Sequence, residues 1–391
     1  MGDSPREINL PPPLGGWEVP SFAHHTISHR LPKIAHETLA GLKTETNGGV
    51  PGEITNAIVS LAEGMPAETV RPLLDRNAPD TELWEGYIPS YLGKSWLELP
   101  WFFAEMYFYR RMLEACGYYQ PGWGEGRDPY TFSKRQGIEA SLENTLTISN
   151  FVAELKPVER TDHQAPLQKL LLASLWGNQA DLSMWAAGEG PGNVKSRRYS
   201  AATLKQGGLI VDQSERVSEI LAEGLQQVDI VLDNSGPELM ADLELVDYIL
   251  SNGLVEQVVL HAKAYPTFVS DATRADVIEA FKVLMDTDYP VLQNLGSRLE
   301  VELRTEKLRI TPRDNENNFY WHSPDPFWNC PRKLETELMK PGLLIFKGDA
   351  NFRRLLGDRH WKHTTPLDAI VGLRPIPRRC STPPLLALRV C

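Results

Sequence analysis

The stretch VLDNSGPEL, residues 231–239, sets Asp233, Asn234, Ser235 and Gly236 directly after a short apolar run and ahead of Pro237, Glu238 and a helical pattern. A carboxylate and an amide side by side are hard oxygen donors, and an abrupt strand end would present them together. The same residues also have an ordinary use. Asn234 or Ser235 can cap the following helix, Pro237 suits its first position, and Glu238 complements the positive end of its dipole. Position weighs between the two readings, because ligands of open α/β sheets bind beyond the carboxyl ends of the strands. A second carboxylate, Asp271, leaves the loop AYPTFVSDAT after the next apolar run, VEQVVLHAK. By its local sequence Asp271 suits a cap for the helix of RADVIEAF, and only its convergence with Asp233 favours a metal. Two carboxylates and an amide suit Mg²⁺ or Mn²⁺, with water completing the shell.

A third segment, GLLIFKGDANFRRLLGD, runs a strand into Lys347 and Gly348, with Asn351 and Arg353 opening a helix. Free N–H groups at a helix start attract anions, so this is a candidate phosphate cradle. The alternative is a solvated face of Lys347, Arg353 and Arg354, with Gly348 as turn punctuation. A last apolar run, PPLLALRVC, ends in Arg389, which either enters the same crevice or reaches solvent. Asn178 and Asp181 in LWGNQADLS fit helix-end hydrogen bonds better than a pocket. Glu105 and Arg110 read as a buried pair on one helix, and His261 and His322 as ordinary polar residues.

The elements that must hold these groups divide at about residue 200. Residues 1–20, with PPPLGG, form a flexible Pro/Gly arm. Residues 21–200 carry apolar positions at three- and four-residue spacing in EITNAIVSLAEG, WLELPWFFAEMYFYRRMLEACG and PLQKLLLASLWGNQADLSMWAA, which predicts an α-helical domain. Residues 201–391 alternate short apolar runs, VDIVLDN, VEQVVLHAK, RLEVELR and GLLIFKG, with amphipathic helices. That alternation predicts an α/β class protein whose second domain is doubly wound, with a mostly parallel sheet and helices on both faces.

A formal net charge of -11 repels phosphate backbones, and no local basic patch offsets it, so nucleic acid is excluded as a partner. No apolar run approaches the ~18 residues of a membrane span. The four cysteines, Cys116, Cys330, Cys380 and Cys391, lack metal spacing and follow no signal peptide. Reduced thiols in an intracellular, cytoplasmic protein are therefore expected. The ten tryptophans, Trp96, Trp101, Trp176 and Trp185 among them, could stack on sugars, but aromatics at helical spacing fit a core.

Taken together, LDNSGPEL, HAKAYPTFVSD, IFKGDANFRRL and LLALRVC resemble the motifs of the metal-dependent damage-control phosphatases, specifically the carbohydrate-phosphate subfamily. Some members of that subfamily also carry the name acidic-residue (protein-glutamate) O-methyltransferase. The likeness extends through LPWFFAEMYFYRR and LWGNQADLS to most of the chain. It implies a helical domain beside a Rossmann-like domain with one divalent ion, Mn²⁺, Co²⁺ or Ni²⁺, held by Asp233, Asn234 and Asp271. It makes Asp349, Asn351 and Arg353 substrate-binding with Lys347 nearby, and places Glu238 where S-adenosylmethionine is assigned in the methyltransferase reading. The family closes on Arg-Thr-x-Lys, whereas this chain reads Arg389, Val390, Cys391. The lysine would face the substrate phosphate, so a truncated end and impaired activity are expected here.

The function this implies is metal-dependent hydrolysis of small sugar phosphates of the fructose 1-phosphate or fructose 6-phosphate type. In it Asp271 or Asp233 aligns or deprotonates the attacking water, Lys347 and Arg353 with helix N–H groups clamp the phosphate, and Arg389 counts among the substrate-binding residues. A methyltransferase would need a Gly-rich loop directly after its first strand. The run at Gly188, Gly190 and Gly192 follows a helical pattern and contains Pro191, so it reads as a loop. A third possibility is a relative that binds sugar phosphate without releasing phosphate.

Overall fold

From residue 214 onward the alternating pattern closes into a five-stranded parallel sheet of order β3-β2-β1-β4-β5. The computed structural model describes residues 10–156, 159–177, 213–313, 318–371 and 385–388. The strands are β1 Leu225–Val231, β2 Val255–His261, β3 Leu308–Thr311, β4 Leu343–Lys347 and β5 Leu385–Leu388. The chain winds outward from β1 through β2 to β3, then returns to the other side of β1 as β4 and β5. The β1–β4 junction is therefore the point where winding reverses, and the crevice beyond it is where such sheets bind ligands.

One face of this sheet is apolar at every other position. Val228, Ile230, Leu232, Val258, Leu260, Leu308, Ile310, Leu343 and Ile345 share one core with the helices packed over them. In chain order those helices are α6 Thr131–Glu154, α7 Gln164–Trp176, α8 Ser214–Glu223, α9 Pro237–Ser251, α10 Arg274–Met285 and α11 Pro290–Arg304. The core accounts for their spacing: α11 buries Leu292, Leu295, Gly296 and Leu299, one stripe at helical period. That stripe corrects one expectation. RLEVELR alternates like a strand but lies inside α11, and the third strand is LRIT, four residues too short for its alternation to stand out. The opposite face carries Asp229, His261 and Phe346. Asp229 Oδ2 lies 2.8 Å from His261 Nε2, and the Trp321 ring packs 6.1 Å from His261 and 6.2 Å from Phe346.

The chain forms two compact units, and their borders depart from a division at residue 200. The first unit takes residues 1–129, 322–331 and 353–377, and the second takes 130–321, 332–352 and 378–391. Helices α6 and α7 belong with the sheet because both pack on α9. In the first unit, α1 Phe22–His25, α2 Leu31–Glu45, α3 Gly52–Gly64, α4 Thr81–Tyr87 and α5 Trp101–Cys116 precede the sheet domain. Residues 10–20 include a tethered segment rather than a free arm. The Leu14 N–H donates to Asp358 O, Gly16 N–H to Leu99 O, and Trp101 N–H to Leu14 O. Prolines lack the N–H needed for a helix, so this extended stretch meets its hydrogen bonds with distant partners.

Within the first unit, Arg110 pairs with Asp75 at 2.9 Å and with Asp80 at 2.6 Å, whereas Glu105 receives Arg353. Trp96 is fully buried, in keeping with a core role. Cys116 and Cys330 are buried thiols outside any disulfide; Cys380 and Cys391 fall outside the described residues. Among the described residues no helix is long and apolar enough to cross a membrane.

Helix α9 also buries Glu244, which accepts a hydrogen bond from the Ser149 hydroxyl of α6. Burial, reinforced by the neighbouring Asp247 carboxylate, raises its pKa from 4.5 to about 8. Between those values the folded protein holds a proton that the unfolded chain has released, so stability falls as pH rises through this window. Glu244→Gln keeps the neutral shape. Its denaturant midpoint is expected to exceed that of the wild type at pH 8 and to approach it at pH 5. Equal offsets at both pH values would show that Glu244 carries no such proton.

Candidate active site

At the carboxyl end of β1 the chain turns through Asp233, Asn234, Ser235 and Gly236 into α9. The helix is capped at Gly236 with no side-chain cap bond, so neither Asn234 nor Ser235 serves as the cap. The left-handed backbone at Gly236 (φ 86°) makes the turn, and Pro237 occupies the first helical position. Asn234 Nδ2 instead donates to Asp233 Oδ2 at 2.7 Å and to Glu238 Oε2 at 3.1 Å.

The loop after β2 returns to the same place. Asn234 and Asp271 form an isolated antiparallel bridge, the Ala272 N–H donates to Asp233 O at 2.7 Å, and the Ser235 N–H donates to Ser270 O at 2.6 Å. Asp271 is not a helix cap. Thr273 caps α10, in a capping box with Asp276. Lys263 Nζ stands 2.9 Å from Asp271 Oδ2, with both side chains buried. Burial and then the Asp271 carboxylate push the Asp233 pKa well above the usual range, and Lys263 and Lys347 only partly offset this. Burial likewise raises Asp271, against the pull of Lys263.

From the other side of β1 come Lys347 and Gly348. Lys347 Nζ is 2.8 Å from Asp242 Oδ1 and 3.2 Å from Glu238 Oε1, and it donates to Ser174 Oγ at 2.9 Å. Its pKa is raised, because the two carboxylates outweigh burial, which opposes the charge. Asp242 is itself raised to about 6, by burial first. Gly348 has φ 79°, and a Cβ there would lie 1.8 Å from Asp233 Cγ. The space a side chain would fill belongs to the Asp233 carboxylate. Asn351 is buried and ties two strand ends together, its Nδ2 donating to Leu232 O at 3.0 Å and to Lys347 O at 2.8 Å. Asp349 is exposed at the start of the helix α12 Asp349–Leu356.

Thus Asp233, Asn234, Glu238, Asp271, Lys347 and Asn351 meet at one sheet edge. Arg353 lies in the first unit, where Asp358 holds it bidentately at 2.9 Å and it reaches Glu105. Neither it nor Arg354 forms a solvated face, since both are buried. Arg389, Asn178, Asp181 and the glycines at 188, 190 and 192 lie outside the described residues. Lys263 and Ser270, both within HAKAYPTFVSD but not singled out by it, join the site, as does Asp242, which no quoted motif contains.

The donor chemistry fits a hard divalent cation. Among the described residues no three His, Cys, Asp or Glu side chains gather as metal ligands. The set here is two carboxylates and an amide, all hard donors. Both carboxylates are buried, and Asp271 Oδ2 is compensated by the Lys263 ammonium at 2.9 Å.

Comparison with known proteins agrees with these motifs. The family model described as the damage-control phosphatase ARMT1-like domain matches residues 26–391. The rat protein named damage-control phosphatase ARMT1 is 31% identical over 93% of this chain and 88% of its own length. Its Xenopus tropicalis counterpart is 32% identical over 91% and 87%, and the human one 30% over 94% and 89%. A crystal structure of a DUF89 family protein from Pyrococcus horikoshii shares 16% identity at a TM-score of 0.41, covering 84% of this chain and 86% of that one. With a family model spanning nearly its whole length, the chain belongs to the ARMT1-like damage-control phosphatase family.

Proposed function

We propose that the protein hydrolyses small sugar phosphates with a divalent ion, Mn²⁺, Co²⁺, Ni²⁺ or Mg²⁺, held by Asp233, Asn234 and Asp271. The observation that carries this reading is the backbone bridge between Asn234 and Asp271, which brings three hard donors from two loops to one sheet edge. When bound, such an ion polarises a phosphoryl oxygen and lowers the pKa of bound water. The chain's own groups supply the rest. Lys263, buried against Asp271, and Lys347, held between Glu238 and Asp242, place two fixed cations around the same edge for a transferring phosphoryl group. Asp233 or Asp271, side by side at this edge, is the carboxylate placed to orient the attacking water and accept its proton. Trapping an aspartyl-phosphate would overturn the water route.

The sugar-phosphate class rests on the subfamily resemblance of the motifs. The test is phosphate release from a panel of hexose and pentose phosphates by metal-stripped protein, with each ion restored singly. Release is expected only with metal, and Asp271→Ala is expected to lower it by about 100-fold or more. Equal rates without metal, or full activity in Asp271→Ala, would sink the reading.

A further inference from the structure

Asn234 presents the wrong end of its amide to a cation. With Nδ2 turned to Asp233 and Glu238, Oδ1 faces away and accepts from the Ser270 hydroxyl. With Asp233 and Glu238 ionised an oxygen at that end would meet only acceptors, and the Ser270 hydroxyl donates to the other end, so both sides favour this orientation. A hard cation shared with Asp233 is ligated by oxygen, because an amide nitrogen offers no lone pair. Ligation by Asn234 therefore requires the amide to turn over. Nδ2 then leaves the carboxylates, and the group it can meet where Oδ1 now sits is Ser270 Oγ. A hydroxyl both donates and accepts, so one serine can satisfy either end; a methyl group satisfies neither.

Ser270 is held in place by its backbone. Its N–H donates to Phe268 O at 2.8 Å, closing a three-residue turn on Val269, and its carbonyl accepts from the Ser235 N–H at 2.6 Å. Val269 and Phe268 have φ 67° and 49°, left-handed values that a β-branched residue in particular rarely adopts. Strain of this kind persists where the surroundings over-determine it, and here it aims a hydroxyl at Asn234.

We infer that Ser270 is a positioning residue that holds the Asn234 amide in two orientations, facing the carboxylates without metal and facing the ion with it, and so sets affinity for the divalent ion. The inference rests on the metal reading above. Its test is calorimetric titration of metal-stripped protein with Mn²⁺ alone, comparing wild type, Ser270→Ala, Ser270→Thr and Asp271→Ala, with metal-free melting curves alongside. Ser270→Ala is expected to bind Mn²⁺ about 10–100-fold more weakly, the range for groups that orient a metal ligand. Ser270→Thr, which keeps the hydroxyl, should bind within a few-fold of wild type, and it carries the test should the alanine variant fail to melt cooperatively. A threonine variant weakened as much as the alanine variant would overturn the inference. So would an alanine variant within twofold of wild type while Asp271→Ala loses binding. Mn²⁺ binding absent from wild type, or unchanged in Asp271→Ala, would instead remove the metal reading and this inference with it.

Discussion

Replacing Gly348 with alanine is expected to lower phosphate release by about 100-fold or more. The added Cβ would stand 1.8 Å from Asp233 Cγ, 1.9 Å from Oδ2 and 2.3 Å from Oδ1. Real contacts at a Cβ are well over 3 Å, so the carboxylate must retreat by more than 1 Å. Retreat is difficult, because Asp233 is 7% exposed and its backbone oxygen is tied to Ala272. The backbone adds its own penalty: φ 79° suits glycine, and an alanine there costs on the order of 1 kcal/mol of stability. The two effects separate experimentally. Melting should drop modestly, whereas Mn²⁺ affinity and turnover should fall together, because both depend on where the Asp233 oxygens lie. A variant that keeps activity within about threefold would mean that Asp233 does not act at the position this structure gives it.

Gly348 also illustrates what a linear reading can and cannot see. In GLLIFKGDANF it is indistinguishable from turn punctuation, since what makes it necessary is a carboxylate over 100 residues earlier. The juxtaposition of Asp233 and Asn234 with Asp271 was legible because strand-loop-helix rhythm predicts parallel strands, and parallel strands put their carboxyl ends on one edge. Lys263 and Ser270 sit inside that same legible loop region. They stayed silent because a lysine and a serine are ordinary surface residues until a fold buries them against a specific partner. Asp242 was hidden for a related reason: on α9 it reads as one polar position of an amphipathic helix, and only the sheet places Lys347 beside it. The error at RLEVELR has a different origin. Alternating apolar and charged residues satisfy period two over a short window, and the longer window from Pro290 to Arg304 is needed to expose the helical stripe.

Arg353→Met is expected to destabilise the first unit by about 3–5 kcal/mol, the usual cost of removing one member of a buried charge cluster. Arg353 is 7% exposed, and its guanidinium stacks 3.8 Å over the Trp101 ring centroid and 4.8 Å over Phe102. It makes two 2.9 Å hydrogen bonds to Asp358 and a third to Glu105. Truncation leaves two carboxylates buried without that cation. Asp358 is also where the Leu14 N–H is tied, so the effect should spread to the N-terminal segment. Glu105→Gln keeps the bidentate Asp358 pair and removes one charge-assisted bond, so its cost should be smaller, about 1–3 kcal/mol. Urea unfolding followed by tryptophan fluorescence reads both, since Trp101 lies against the guanidinium. The family resemblance gives Arg353 a different task, contact with the substrate. In that case Arg353→Met would raise KM for the phosphate substrate in addition to lowering the unfolding midpoint. A lowered midpoint with KM unchanged would instead assign Arg353 to building the fold around the base of α5, leaving Lys263 and Lys347 as the cations for the phosphate.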